Sequence, residues 1–284
     1  MSKKIKLAPG SSVDAGLSSS TKRSLPPDRT KGFNPKNVAL ITGSSSGIGA
    51  AIAERLAAEG FLTLINARSE NDGAHRTRDA IRAAGYEAEF AIGDISEVAE
   101  IRRLFKEIGE RYGRIDVLVN NAGICPFHEW HEVTEEIWNR THETNLRAGY
   151  FCTQEAAKLM ITRKTAGRII AISSISAIKG GTVQTHYCPT KGGQISMMNA
   201  FAVCLGQYGI TCNSILPGTI ETPINAEYLA TGTNRVNLER QSCVGYIGMP
   251  NDVAGLVAFL ARPEARYITG ASILVDGGEL VKHL

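Results

Sequence analysis

Short apolar runs alternate along the chain with stretches in which apolar residues recur every four positions. The first run is VALI at residues 38–41, and a glycine-rich turn and the stretch AAIAERLAAEG follow it. The four-residue period is set by Ile48, Ile52 and Leu56. The run is typical of a buried parallel strand, and the period is typical of a helix with one buried face. Gly60 suits the end of that helix, and FLTLIN at residues 61–66 predicts a second strand, which completes a β-α-β unit.

The same alternation continues to the end of the chain. Further strands are predicted at AEFAI, IDVLVN, GRIIAIS, ITCNSIL and ASILVDGG, and helices at about 97–112, 134–162 and 187–208. Strands that alternate with helices predict a parallel sheet with helices on both faces. We therefore expect an α/β fold for residues 37–284: a single doubly wound seven-stranded parallel sheet, Rossmann-like, with no second domain.

Residues 1–36 have a different composition. They are rich in Ser, Gly, Pro and Lys, lack apolar periodicity and predict a disordered basic tail. An organelle transit peptide is the alternative: the Ser and basic content fits it, whereas Asp14, Asp28 and the weak amphipathicity do not. The tail carries a net charge of +6 and the whole chain +3, which leaves −3 for the remainder. The remainder therefore gives no support for nucleic-acid binding.

The overall composition narrows the class further. Hydrophobic residues make up 43% and charged residues 21% of the chain, as in ordinary globular proteins. No apolar run reaches the about 18 residues of a membrane span, so no membrane partner is expected. The six cysteines are scattered without a C-x-x-C pair, which favours free thiols in a reducing compartment and predicts a cytoplasmic protein.

The turn TGSSSGIG stands between the first strand and the first helix, where glycines permit a tight turn and close approach of a pyrophosphate to the helix N-terminus. Its predicted cofactor contacts are Gly43, Ser45, Gly47, Ile48 and Gly49. The second strand ends in NAR, with Arg68 where an acid would bind a ribose 2′-hydroxyl. This favours NADP over NAD. Asp94, after the third strand, is predicted to accept a bond from the adenine amino group; capping the next helix is the alternative.

Further motifs follow in a fixed order. They are NNAG at residues 120–123, Asn145, ISS ending at Ser174, Tyr187 with Lys191, and PGTIET at residues 217–222. Together with the glycine turn they resemble the short-chain dehydrogenase/reductase family across residues 37–284. The resemblance implies a nicotinamide-dependent oxidoreductase with a catalytic tetrad of Asn145, Ser174, Tyr187 and Lys191. It also implies that Ser174 holds the substrate oxygen, that Lys191 binds the nicotinamide ribose, and that Asn145 anchors a water chain.

The tyrosine and lysine have an independent chemical logic. A phenol with a pKa near 10 is a weak base unless a neighbouring cation stabilises its phenolate. Tyr187 and Lys191 are four residues apart, and so they share one face of a helix. Pro189 is tolerated between them, because proline fits the first helical turn. We therefore expect Tyr187 to carry the proton and Lys191 to lower its pKa.

The resemblance implies further cofactor contacts and a substrate lid. The contacts are Asn121, Gly123, Pro217, Ile220 and Thr222. A turn stabilised by its Asn side chain is the alternative role of NNAG. The polar segment 221–245, called the lid segment below, is expected to be irregular and flexible.

Several stretches, including NNAGICPFHEW and ISSISAIKGGTVQTHYCPTKGG, resemble the L-rhamnose 1-dehydrogenase branch of the family. That resemblance implies oxidation of the anomeric hydroxyl of an aldose to a lactone. Expected substrate contacts are Ser174, Ser176, Gln184 and Tyr187. His186 either joins them or supports the local loop. A 3-oxoacyl-[acyl-carrier-protein] reductase is the main alternative, although the net charge of −3 does not favour an acidic carrier. A catalytically idle cofactor-binding scaffold is opposed by the complete tetrad.

The remaining candidates have structural interpretations. His128 and His131 have H-x-x-H spacing without a third ligand nearby, so we expect a loop or pocket-wall role and no metal. Cys125 and Cys188 are expected to be wall residues. The family resemblance implies a homotetramer that forms through the helices at 134–162 and 187–208 and through the C-terminal strand. An apolar outer face for this contact is predicted from Ile195, Met198, Phe201, Ala202 and Leu205, although part of that stripe must cover the sheet.

Overall fold

Seven short strands form the centre of the computed structural model, which describes residues 37–282. They are β1 (Val38–Ile41), β2 (Leu62–Ile65), β3 (Ala88–Phe90), β4 (Val117–Asn120), β5 (Arg168–Ile172), β6 (Thr211–Pro217) and β7 (Ser272–Val275). All neighbouring pairs are parallel, and the spatial order is β3-β2-β1-β4-β5-β6-β7. The order reverses between β1 and β4. A crevice for a ligand is expected at their carboxyl ends, where this reversal occurs.

Helices connect the strands. They are α1 (Gly47–Ala58), α2 (Asp72–Ala83), α3 (Val98–Arg111), α4 (Glu135–His142), α5 (Ala148–Thr162), α6 (Cys188–Leu205), α7 (Ala226–Ala230), α8 (Asn234–Gln241) and α9 (Pro250–Ala261). Residues of α1, α2 and α9 build the hydrophobic core on one face of the sheet, and residues of α3, α5 and α6 build the core on the other. The predicted fold class is confirmed.

Burial explains why the strands read as continuous apolar runs. Every residue of β1, β4, β5 and β6 is buried, since helices cover both faces of the sheet. The edge strand β7 instead alternates exposed and half-buried residues. Its place at the end of the sheet leaves one side without a neighbouring strand among the described residues.

Some elements differ from the predictions. Helices α2 and α9 have no predicted counterpart: α2 buries only three residues, whereas α9 carries an apolar stretch that the sequence analysis did not assign. The helix predicted at 134–162 is interrupted by a π-helical segment, Glu143–Arg147. The lid segment is not wholly irregular, since it contains α7 and α8.

The prediction that this apolar stripe forms the outer face of α6 was wrong for three of its residues. Met198, Ala202 and Leu205 are buried in the core beneath the helix. The side that faces away from the sheet instead exposes Val203 at 84% and leaves Phe201 half-buried against Tyr150 of α5. One face of the sheet must be packed against apolar side chains, and the buried residues of the stripe provide them.

The tail at residues 1–36 lies outside the described residues, so its predicted disorder and the division of the chain into domains stay predictions. Within residues 37–282, no helix is both long enough and apolar enough to cross a membrane.

The first helix approaches the sheet through Gly49. A Cβ atom there would overlap the Gly43 carbonyl oxygen and would lie 2.5 Å from Asn121 Nδ2. We expect Gly49→Ala to lower the free energy of unfolding by about 1–3 kcal/mol through overpacking, measured by urea titration. Gly206→Ala is the control: Gly206 has helical angles and open space around it, so alanine should leave stability unchanged or slightly raised. Equal effects of the two changes would contradict this explanation.

Candidate active site

The glycine turn forms a cradle at the carboxyl end of β1. Gly43 and Gly47 have φ angles of +62° and +55°, which favour glycine. Asn121 Nδ2 holds the turn by donating to the carbonyls of Thr42 at 2.9 Å and Gly43 at 3.1 Å. Ser46, the N-cap residue of α1, makes no side-chain cap bond, and the first turn of α1 holds no acid. The turn therefore fits an anionic pyrophosphate. Ser45 and Ile48 lie in this turn, half-buried.

The ends of β2 and β3 define the predicted adenosine side. Asn66 is buried; it accepts from Gly43 N at 3.2 Å and donates to the carbonyls of Ala91 and Gly93 at 2.8 and 3.2 Å. Asn66 therefore connects the end of β2 to the glycine turn after β1 and to the loop after β3. Arg68 is exposed two residues further on, and its contact with a 2′-phosphate stays a prediction.

Asp94 does not cap α3, as its alternative role required, because the N-cap residue of that helix is Glu97. Asp94 Oδ1 accepts from the backbone N of Ser96 at 2.9 Å and from Ser96 Oγ at 2.8 Å. Asp94 thus stabilises the turn before α3. Its contact with adenine stays a prediction.

Tyr187 and Lys191 lie side by side at the start of α6. Tyr187 is the N-cap residue, and Pro189 occupies the first turn, as predicted. Lys191 Nζ lies 5.5 Å from the centre of the Tyr187 ring and donates to the Ile172 carbonyl at 2.9 Å. Ser174 hydrogen-bonds to the Tyr187 hydroxyl, and its Oγ accepts from Ser176 N at 3.0 Å. Three tetrad members therefore meet at the carboxyl end of β5.

Asn145, the fourth tetrad member, lies in the π-helical segment and is only 1% exposed. Its Oδ1 accepts from Ile124 N at 2.8 Å, and its Nδ2 donates to the Ile124 carbonyl at 2.9 Å and to Thr190 Oγ1 at 3.2 Å. The side chain thus joins the loop after β4 to α6. A π segment interrupts the regular hydrogen-bond ladder, and such segments are frequent at functional sites.

Gly123 and Lys191 are close neighbours. A Cβ atom at Gly123 would lie 3.3 Å from Asn145 Oδ1 and 3.6 Å from Lys191 Nζ. The absence of a side chain at Gly123 leaves this side of the lysine open to the crevice, where the predicted cofactor would lie.

Burial controls the protonation of the central pair. It raises the pKa of Tyr187 well above its usual value, with a further increase from Cys125, while the bond from Ser174 acts in the opposite direction. Burial lowers the pKa of Lys191 to about 8. Burial therefore dominates the pKa of Tyr187 in the protein alone, and the expectation that Lys191 lowers it stays a prediction.

The predicted substrate residues are partly bonded to one another. Ser176 Oγ donates to Gln184 Oε1 at 3.2 Å, and Gln184 Nε2 donates to Cys125 Sγ at 3.3 Å. Ser176 and Gln184 are both half-buried, and burial raises the pKa of the Cys125 thiol to about 11. This cluster forms a polar wall beside Ser174. Cys188 is also half-buried, and burial raises its pKa.

His186 belongs to the wall rather than to the cleft surface. Its ring is fully buried and lies 6.1 Å from the His128 ring, and burial lowers its pKa. His131 is exposed and contacts Trp130. Within residues 37–282, no group of three or more His, Cys, Asp or Glu side chains is arranged to hold a metal ion.

The loop after β6 closes the other side of the crevice. Pro217 ends β6, Ile220 is buried, and Thr222 lies across from Gly47, where a Cβ atom would be 3.5 Å from the threonine. Asn225 orients this loop: its Oδ1 accepts from Thr222 N and Oγ1 at 2.9 and 3.2 Å, and its Nδ2 donates to the Ile220 carbonyl at 2.9 Å. Asn225 was not predicted, although Pro and Asn, here Pro223 and Asn225, are both common in turns.

A second residue that sequence reasoning missed is Glu279. It is 8% exposed, and its Oε2 accepts from Thr219 N at 3.0 Å and from Thr219 Oγ1 at 3.1 Å. Its Oε1 lies 3.4 Å from Lys179 Nζ. Glu279 thereby joins the loop after β6 to the loop after β5, and nothing local in the sequence indicated a contact over this distance along the chain.

The lid segment rests on the mouth of the crevice. Arg235 of α8 pairs with Glu221 at 2.6 Å, and the Tyr228 ring of α7 contacts the Phe127 ring at 6.1 Å, edge to face. Phe127 belongs to the loop after β4. The lid segment therefore bridges the two sides of the crevice.

A glycine cradle at the reversal of a parallel sheet, beside a buried lysine and a tyrosine, defines a dinucleotide-dependent oxidoreductase. The family model described as enoyl-(acyl carrier protein) reductase matches residues 43–279. An L-rhamnose 1-dehydrogenase (NAD(P)+) from Azotobacter vinelandii is 44% identical over 245 residues, which cover 85% of this chain and 96% of the relative. The L-rhamnose 1-dehydrogenase (NADP+) of Thermoplasma acidophilum is 41% identical, covering 88% and 98%.

Solved structures agree with these relatives. A gluconate 5-dehydrogenase from Burkholderia cenocepacia J2315, in complex with NADP and tartrate, superposes with a TM-score of 0.82 at 31% identity, covering 87% of this chain and 96% of that one. The chain belongs to the short-chain dehydrogenase/reductase family and is an NAD(P)-dependent oxidoreductase. The predicted family is confirmed, whereas the roles of individual site residues stay predictions.

The lowered pKa of Lys191 makes the stability of the cofactor-free protein depend on pH. Between about pH 8 and 10.5, the folded protein has lost this proton while the unfolded chain retains it. Stability therefore rises with pH across this window. We expect the free energy of unfolding of the unmodified protein, relative to Lys191→Met, to increase by about 2 kcal/mol from pH 7.5 to pH 10. Urea titrations at each pH measure it, and a constant difference would contradict the prediction.

Proposed function

We propose that this enzyme oxidises an aldose of the L-rhamnose type at its anomeric carbon and releases a lactone. Relatives that are 41–44% identical over most of the chain and carry the name L-rhamnose 1-dehydrogenase are the observation that carries the proposal. The polar wall of Ser174, Ser176 and Gln184 beside Tyr187 supports it, because a sugar needs hydrogen-bond partners for its buried hydroxyls.

In the proposed reaction, Ser174, Tyr187 and Lys191 have separate roles. Ser174 Oγ holds the anomeric oxygen, and Tyr187, as the phenolate, removes the proton of the anomeric hydroxyl. An oxidised nicotinamide held at the glycine turn and at Lys191 would supply the acceptor for the hydride of the anomeric carbon and a positive charge beside Tyr187. Lys191 contributes a second positive charge, which favours the phenolate against the effect of burial. The carbon–oxygen double bond of the lactone forms as the proton and hydride leave.

The alternatives have weaker support. A 3-oxoacyl-[acyl-carrier-protein] reductase needs a basic entrance for an acidic carrier, and residues 37–284 carry a net charge of −3. An idle scaffold would not need a lysine that is 4% exposed beneath a tyrosine, since burying an ammonium is costly.

We further propose a cytoplasmic homotetramer. The six thiols are free, in keeping with a reducing compartment. The exposed Val203 and Tyr150 on neighbouring helices and the exposed edge strand β7 offer contact surfaces. Sedimentation velocity distinguishes a tetramer from a monomer.

The substrate is tested by mixing the purified protein with NADP or NAD and a panel of aldoses that includes L-rhamnose. We expect aldose-dependent formation of reduced nicotinamide, followed by its absorbance. Tyr187→Phe should lower kcat by about 10²- to 10⁴-fold, the usual contribution of a general base, while far-ultraviolet circular dichroism reports an intact fold. Reduction of acetoacetyl thioester by NADPH without any aldose oxidation would sink the proposal.

Arg68 is proposed to favour NADP through the 2′-phosphate. Loss of a charge-assisted bond costs about 1.5–3 kcal/mol, so Arg68→Ser should raise the KM for NADP by about 10- to 100-fold and leave that for NAD nearly unchanged. Arg55→Ser is the matched control, because Arg55 lies in the last turn of α1, at the end remote from the glycine turn. Equal losses with both cofactors would rule out a phosphate contact at Arg68.

A further inference from the structure

A glutamine bridges two parts of the tetrad. Gln194 lies less than one helical turn after Lys191 on α6, and only 1% of its surface is exposed. Its Nε2 donates to the Asn145 carbonyl at 2.6 Å. Its Oε1 accepts from Lys191 Nζ at 3.4 Å. One side-chain amide thus contacts both the lysine and the backbone of the π-helical segment.

The chemistry of the two partners fixes the orientation of this amide. An ammonium group only donates hydrogen bonds, and a backbone carbonyl only accepts them. The amide of Gln194 offers one acceptor and a donor group, so it matches both neighbours in one orientation only. An apolar side chain of similar size would leave both neighbours without this partner in a buried place, which is costly.

Lys191 is held from a second side as well. Its Nζ donates to the Ile172 carbonyl at 2.9 Å, at the end of β5. The two acceptors, Ile172 O and Gln194 Oε1, together direct the ammonium, and the Tyr187 ring lies 5.5 Å away. Removing Gln194 would leave the long lysine side chain with one protein acceptor among the described contacts.

We propose that Gln194 is a positioning residue of this active site: its amide ties the Lys191 ammonium to the carbonyl of Asn145 and so holds the lysine beside Tyr187. The inference rests on the proposed oxidation. It adds a residue that acts through Lys191 and touches neither the sugar nor the reacting atoms. A purely structural glutamine, which only pairs the Asn145 carbonyl, is the competing explanation.

Two substitutions separate these explanations. Gln194→Met removes both the donor and the acceptor, whereas Gln194→Glu keeps the shape and the acceptor for Lys191. Met198→Leu is the control, since Met198 is fully buried about one turn further along the same helix. Each protein is assayed for kcat and KM with the aldose, and its unfolding free energy is measured from pH 6.5 to pH 10.5.

We expect Gln194→Met to lower kcat by about 10- to 100-fold, as misplacement of a catalytic group does, while KM changes by less than about threefold. The pH at which stability begins to rise should move down by about one unit in Gln194→Met, because the ammonium loses an acceptor. It should move up in Gln194→Glu, because a carboxylate favours the ammonium. Met198→Leu should change neither quantity.

Other outcomes are equally informative. A Gln194→Met protein that is less stable but keeps its kcat and its pH profile would show a structural glutamine and overturn the inference. If Gln194→Met does not fold, an unshifted profile in Gln194→Glu would overturn it and an upward shift would support it. If the unmodified protein oxidises no aldose, the proposed function fails, and the stability profiles, which need no substrate, still decide the role of Gln194.

Discussion

The burial of one ammonium group organises this active site. Lys191 is 4% exposed, and burial lowers its pKa to about 8, so the site must supply acceptors that offset the loss of water. One acceptor is the Ile172 carbonyl, at the end of a central strand, and another is the Gln194 amide. Gly123 also lies near the ammonium group, and because it has no side chain it leaves space there. The sheet, helix α6 and the loop after β4 are therefore all placed with respect to a single atom.

Close packing also shapes the glycine turn. There, neighbouring atoms approach the glycine backbone too closely to leave room for a side chain. Asn121 donates to the carbonyls of Thr42 and Gly43, and a Cβ atom on Gly49 would collide with this arrangement. The NNAG motif thus stabilises the cradle through its Asn, while its last residue, Gly123, borders Lys191. One short loop therefore contacts both the glycine turn and the surroundings of Lys191.

Local sequence patterns predicted most of the fold and the tetrad. They did not predict contacts between segments that are far apart in the chain. Apolar runs predicted all seven strands, and most clearly β1, β4, β5 and β6, because strands that are buried on both faces are apolar throughout. Helix α9 was missed although it is apolar, because its buried residues Val253, Val257 and Leu260 stand in one apolar stretch without a polar face that would mark a helical period. Tyr187 and Lys191 were recognisable from their four-residue spacing. Glu279 was not, because its partners Thr219 and Lys179 are separated from it by 60 and 100 residues.

These distant contacts also determine which part of the lid segment is free to move. Its start is held near Thr219 by Glu279, and its end is held by the bond from Cys243 N to the Gly277 carbonyl at 2.8 Å. Between these points, the edge-to-face contact of Tyr228 with Phe127 connects the lid to the opposite side of the crevice. An aromatic pair of this kind contributes about 0.5–1.5 kcal/mol. The contact therefore holds the lid segment to the opposite side only weakly. Both anchors lie outside the Tyr228–Phe127 contact, so separating the two rings would leave the ends of the lid segment attached and would not involve Tyr187 or Lys191.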